Sequence, residues 1–118
     1  MVFVFSEDGT LEVLERKELA EQYEPLDVEN QVFVFYDEDG TWLQPRFTRP
    51  NIRRLWGLVV SQGAFELTRS SSLDPTVDPF DVAVKEAVAL EPNRYFTTLE
   101  EVSAHVLSVQ RSKKRPTD

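Results

Sequence analysis

Residues 2–5 read Val-Phe-Val-Phe, and the same four residues return at 32–35. A β-strand turns successive side chains to opposite faces, so a run that is apolar at every position has no face to offer to water. Both faces of such strands need cover. Helices can supply one layer; the other must come from a second layer of the same chain or from a partner subunit. The expectations are therefore a homodimer through the sheet, or a wrap of that face by the chain's own N-terminal helix and its 70–79 segment.

Each run closes on the same kind of phrase, VFVFSEDGT at 2–10 and VFVFYDEDGT at 32–41. Gly9 and Gly40 suit a tight turn because glycine adopts positive φ without strain, and the Asp before each supports turns by local hydrogen bonds. Two hairpins are expected. Residues 10–14 pair back on 2–5, and residues 41–48 on 32–36, with Pro45 placing that return strand at an edge or a bulge. Two copies are too few for a solenoid, and convergence on a common hairpin phrase is favoured over a pseudo-repeat.

Residues 16–24 (RKELAEQYE) predict a short helix stopped by Pro25, with Leu26 and Val28 leading back to the sheet. Residues 56–69 predict a third hairpin turning at Gln62-Gly63; the alternative is a helix over 51–60 broken at Gly63. Residues 70–79 read as a linker rich in Ser, Asp and Pro. Asp78 and Pro79 then spell the N-cap and first position of a helix running to about Leu90. A final helix opens on Thr97 or Thr98 with Glu100 or Glu101 three residues on, a capping box, and carries Leu99, Val102, Val106 and Val109 on one face. Strands first and helices after predict an α+β fold, an antiparallel sheet of about four to six strands. One domain over 1–110 is expected, with 111–118 a basic, frayed tail. Of the 118 residues, 36 are Leu, Ile, Val or Phe, well above the roughly 20% below which chains tend to stay disordered.

Several chemistries are excluded by residue type. There is no cysteine and one histidine, which removes thiolate metal sites, disulfides and cysteine nucleophiles. A calcium loop needs oxygen ligands at positions 1, 3 and 5 and a Glu at 12; with Gly40 at position 6, Phe35 and Arg46 occupy positions 1 and 12. The four glycines are too dispersed for a phosphate loop. His105 stands beside the apolar stripe of its helix, where a boundary role is the simple reading, and no nucleophile motif accompanies it. No cofactor, no metal and no enzyme activity are expected. No apolar run approaches the roughly 18 residues that span a bilayer, and the first residues lack a basic leader. A cytoplasmic protein without a membrane partner is the expectation.

Charge carries the functional expectation. The net −8 is uneven: residues 1–40 hold 12 acids and two bases, whereas 41–70 hold five arginines and one acid. The acidic face at Glu18, Glu21 and Glu24 predicts a non-enzymatic interaction protein, in the general manner of a bacterial immunity- or antitoxin-like inhibitor that steers onto a basic protein. The alternative uses Trp42, Arg46, Arg49, Arg53, Arg54 and Trp56. Arginine interleaved with tryptophan suits a protein hot spot or a single-stranded nucleic acid, although net acidity disfavours phosphate. A third possibility is internal: these arginines neutralise the acidic hairpins, and the tryptophans are core.

Overall fold

A computed structural model describes residues 1–54, 59–69 and 76–114. The chain is α+β, and the described residues form a mostly antiparallel six-stranded sheet, a separate two-stranded ladder and four helices. In chain order the elements are β1 (Val2–Ser6), β2 (Thr10–Leu14), α1 (Lys17–Ala20), α2 (Pro25–Glu29), β3 (Phe33–Asp37) and β4 (Trp42–Arg49). Then come β5 (Ile52–Arg54), β6 (Val59–Ser61), β7 (Ala64–Arg69), α3 (Phe80–Glu86), β8 (Ala89–Leu90) and α4 (Leu99–Lys114). The sheet order is β7-β4-β3-β1-β2-β8, and β5 and β6 form a separate two-stranded ladder. Every pairing is antiparallel except β2 with β8.

The Val-Phe-Val-Phe run explains the layering. Phe3 and Phe5 point into a core shared with Phe80 and Val84 of α3 and Val102 and Val106 of α4. Val2 and Val4, each 2% exposed, point the other way into a core with Ala20, Val28, Phe35, Leu43, Phe65 and Leu67. The second face is thus covered within one chain by α1 and α2, and a dimer through the sheet is not needed to cover it.

The two phrases lie side by side, since β1 pairs with β3 in the register Val4↔Phe35 and Phe5↔Val34. Their like residues face opposite ways: Phe3 and Phe5 look toward α3 and α4, whereas Phe35, with Phe33 packed beside it, belongs to the α1–α2 side. A one-residue step in register inverts every side chain, so no two-fold symmetry relates the phrases. Locally they solve the turn alike. Gly9 and Gly40 have φ of 89° and 84°, and the Thr10 and Thr41 N–H groups each donate to the Asp two residues back, both at 3.0 Å.

Several expectations need correction. The helix expected over 16–24 is one turn, Lys17–Ala20. Pro25 does not send the chain back to the sheet but opens α2 at its first position, where a missing N–H costs nothing. Pro79, not Asp78, is the N-cap of α3, which ends at Glu86 because the chain turns extended at Ala87 to add β8 beside β2. The six strands of the main sheet fall within the expected four to six, but one of them, β8, is parallel, and β5 and β6 form a ladder apart from it. At the start of α4, the Glu101 N–H donates to the Thr98 hydroxyl at 3.2 Å and the Glu101 carboxylate accepts from the Thr97 N–H at 3.3 Å. That helix continues through Lys114, so residues 111–114 are helical where a frayed tail was expected. The expected linker lies outside the described residues over 70–75.

Gln62-Gly63 is not a turn. β4 pairs with β7 and β5 pairs with β6, so residues 42–54 and 59–69 are two arms of one long ribbon. Gly63 stands opposite Pro50 where the ribbon breaks stride, next to a register shift between Phe47 and Arg49. Nor is β4 an edge strand, because it lies between β3 and β7. Pro45 is tolerated because the β3–β4 ladder stops at Leu43, so no β3 acceptor waits for the missing N–H.

Tyr23 packs edge-on against Phe33 and Phe35 in the α1–α2 core, and its buried hydroxyl meets no described group at hydrogen-bond geometry, the neighbouring Glu12 carboxylate included. Burial pushes its pKa up, with the Glu12 and Glu91 carboxylates adding to the effect. An unpaired buried hydroxyl costs about 1–3 kcal/mol. Tyr23→Phe is therefore expected to leave stability unchanged or raise it by up to about 1 kcal/mol in chemical denaturation, against the usual sign for a core substitution.

Candidate functional site

The acidic turn between β3 and β4 is the most densely bonded charged cluster among the described residues. Asp39, 8% exposed, accepts from Arg69 of β7 and Lys113 of α4, both at 2.8 Å. Arg69 also pairs with Asp37. The Gln110 side chain donates to the Asp39 carbonyl at 2.8 Å. Glu38 meets His105 Nε2 at 2.7 Å and the N-terminal ammonium at 3.6 Å. His105 rests its ring on Phe96, 5.3 Å between centroids. The cluster clamps the C-terminal half of α4 and the end of β7 to one hairpin tip.

Its electrostatics have a definite sign. Burial alone would raise the Asp39 pKa, but hydrogen bonds from Lys113, Arg69 and Thr41 outweigh it and hold the carboxyl well below the usual carboxylate range. A depressed folded pKa stabilises the fold above the unfolded value of about 3.9 and loses that contribution as pH falls through the folded value. Asp39→Asn is accordingly expected to lower stability at pH 7 by about 1–2 kcal/mol. The loss relative to the parent protein should shrink as pH drops below about 4. Urea titrations of both proteins from pH 7 to pH 2 read this directly, and a gap that stays constant with pH would exclude it.

The residues singled out for binding are dispersed differently from the expectation. Glu21 accepts the Leu67 N–H at 2.6 Å, which caps the free edge of β7. It is structural. Glu18 and Glu24 are exposed and bonded to no described residue, but they sit in separate segments, Glu18 in α1 and Glu24 as the N-cap of α2, rather than along one helix face. Trp42 packs against the α3–α4 core, as the internal reading expects of the tryptophans; Trp56 lies outside the described residues. Of the five arginines in 41–70, only Arg69 neutralises an acidic hairpin. Arg46, Arg49, Arg53 and Arg54 are exposed and form no ion pair with a described residue.

These four arginines share the ribbon. Its inner part is anchored by Phe65, buried in the α1–α2 core, and by half-buried Phe47, their rings 5.8 Å apart. Its outer part, β5, is exposed at all three residues, including Ile52 at 39%. Asn51 fixes the junction: its amide donates to the Pro25 carbonyl at 3.1 Å and to the Glu29 carboxylate, and its oxygen accepts from the Gly63 N–H at 2.7 Å. The ribbon is thus held at a set angle to α2. The molecule measures 58 × 31 × 26 Å with a Cα radius of gyration of 15.7 Å, against about 13.5 Å for a compact chain of this length.

Grooves indent the surface elsewhere. One of about 430 Å³ opens where β3 and β4 diverge beyond Leu43, lined by Phe33, Phe35, Trp42, Pro45 and Phe47 with Glu29 and Gln44 at its rim. Another, about 440 Å³, lies between the chain start, α1 and β7. A third, about 280 Å³, lies between Phe5, Val34 and Ala83. His105 and Asp39 line none of these three. Among the described residues no group of three or more His, Asp or Glu is placed to hold a metal, and no helix is long and apolar enough to cross a membrane.

No family model, curated protein or solved structure matches this chain. Its own residues therefore carry the functional reading.

Signals for the ion-pair cluster were partly present in the sequence. Asp39 was legible as a turn residue, but nothing in the chain order announces that Arg69 and Lys113 converge on it from thirty and seventy-four residues away.

Proposed function

We propose that this is a non-enzymatic interaction protein whose docking element is the arginine ribbon, residues 44–54 with 59–66, and whose partner is a protein surface rich in carboxylates. One observation carries the reading: Arg46 and Arg49 of β4 and Arg53 and Arg54 of the β5–β6 ladder are exposed, and their side chains are bonded to no described residue of the chain. Long guanidinium side chains left unpaired beside an excess of acids are held in reserve for bidentate contacts with carboxylates. The ribbon is also pre-set by Asn51, so less ordering is required on binding.

The reading moves the docking surface from the acidic helix to the ribbon, because Glu21 is occupied by the β7 edge. Glu18 and Glu24 stay free, which supports the inhibitor form of the proposal as a second reading: a basic protein attracted to the helical layer.

The test is a pair of charge reversals. Arg53→Glu with Arg54→Glu should reduce capture of acidic partners from native lysate at least tenfold while the far-ultraviolet circular dichroism is unchanged. Glu18→Arg with Glu24→Arg should leave that capture intact and instead abolish capture of basic partners. Random oligonucleotides at low salt should not bind; oligonucleotide binding lost with Arg53 and Arg54 would replace the protein partner by nucleic acid.

A further inference from the structure

We infer that the ribbon of one molecule docks on the α1–α2 layer of a second copy, and that the contact is reciprocal, each copy giving its ribbon and receiving its partner's. This rests on the ribbon being a docking element and goes on to name an occupant.

Charge complementarity argues for it. Residues 12–29 hold seven acids against Arg16 and Lys17, net −5, with one of the acids, Glu15, paired to Arg94 at 3.3 Å, while residues 44–66 hold four arginines against Glu66, net +3. Both surfaces are incomplete in the same chain. The side chains of Glu18 and Glu24 are bonded to no described residue, and neither are those of the four ribbon arginines. They are not paired with one another within the molecule, where Asn51 ties the ribbon base to Pro25, Glu29 and Gly63. A second copy brings both missing halves at once. Ile52, exposed beside Arg53 and Arg54, adds an apolar contact at the ribbon.

Reciprocity comes from economy of contacts. A two-fold pair makes two ribbon-to-helix contacts for a single loss of translational and rotational freedom, whereas a head-to-tail chain makes one per association and leaves charged ends unmatched. The net charge of −8 on each copy opposes approach, but at about 0.1 M salt the screening length of about 10 Å leaves the facing opposite charges dominant at contact. The association is therefore salt-sensitive, strong at moderate ionic strength and lost at high.

Light scattering coupled to gel filtration on the full chain tests it at high micromolar concentration. At about 0.1 M salt, where screening is still partial, the mass should be twice 13.6 kDa, and at about 1 M, where the screening length is about 3 Å, it should fall to 13.6 kDa. Arg53→Glu/Arg54→Glu and Glu18→Arg/Glu24→Arg should each be monomeric alone, since each sets like charges against like where residues 53 and 54 meet residues 18 and 24. Mixed in equal amounts they should pair again, because the reversed ribbon meets the reversed helical layer while the untouched ribbon meets the untouched layer. All four positions are exposed, and circular dichroism checks that each variant is folded.

A monomeric parent protein at moderate salt would overturn the inference, as would pairing that survives either double reversal, a mixture that stays monomeric, or masses growing beyond the pair. A monomer that still loses acidic partners on reversal of Arg53 and Arg54 would overturn self-association alone and leave the ribbon as a docking element for another protein.

Discussion

Phe3→Ala should lower the unfolding free energy by about 3–5 kcal/mol, the range for emptying a fully buried aromatic site. Phe3 is 0% exposed and lies in a central strand. Its ring meets Phe80 of α3 at 5.5 Å and Phe96, just before α4, at 6.2 Å. Both C-terminal helices therefore dock on a surface that this ring helps to build. Removing it leaves a cavity between sheet and helices that Met1, Phe96 and Leu99, already packed at the margin, can fill only in part. Urea denaturation should show the midpoint falling with the slope unchanged. A loss below about 1 kcal/mol would mean that the helices are held on by the Asp39 cluster and not by the apolar layer. Ile52→Ala, on the exposed ribbon, serves as the control and should shift stability by less than about 0.5 kcal/mol.

Gly63→Ala should disable the ribbon while sparing the body. A Cβ at residue 63 would stand 2.0 Å from the Arg49 carbonyl oxygen and 2.7 Å from the Pro50 carbonyl carbon. Both are backbone atoms, so no side chain can swing aside and the crossing itself must open. That movement pulls the Gly63 N–H from Asn51, and with it the tie to α2. Overpacking of this kind costs about 1–3 kcal/mol, and more where backbone must yield. Because β5 and β6 pair with each other and with no other described strand, the cost falls on them and on the Arg49–Ala64 end of the β4–β7 ladder. Amide hydrogen exchange in β5 and β6 should accelerate roughly 30-fold or more, the equivalent of about 2 kcal/mol, with β1 and β3 amides unchanged. Docking should be lost although Arg53 and Arg54 are intact. Unchanged protection of β5 and β6 would show that the ribbon does not depend on this crossing.

The turn chemistry was legible residue by residue. Gly9 and Gly40 adopt the positive φ their phrases call for, and each preceding Asp accepts the expected Thr N–H. Where local signals were weak, tertiary pairing overrode them. Gln62-Gly63 spells a turn, yet it crosses Pro50 in a longer ribbon because β7 gains more by pairing with the whole of β4 than by folding onto β6. Pro25 reads as a stop for residues 16–24 and equally as the first position of a new helix; the need to cover Val2 and Val4 selected the new helix. The helix over 80–90 is cut short at Glu86 because the β2 edge was open to a parallel partner, a vacancy no local pattern contains.

The candidate site divides in the same way. An excess of arginine in 41–70 is a fact of composition, and the sequence set it beside an acidic N-terminal third. Which arginine would be consumed internally was not written there: Arg69 meets Asp37 and Asp39 only because β7 pairs with β4 in a register that ends it beside the hairpin tip. Glu21 was one acid among many until β7 presented the Leu67 N–H to it.

By itself, then, the sequence determined the strand that needs two covered faces, the two glycine turns, the capped final helix and the uneven charge, because each depends on neighbours within a few residues. The tertiary structure decided which layer covers which face, which charges neutralise one another and which arginines are left to meet a partner. Those outcomes depend on pairings between residues thirty to seventy positions apart, where register and packing, not local preference, set the free energy.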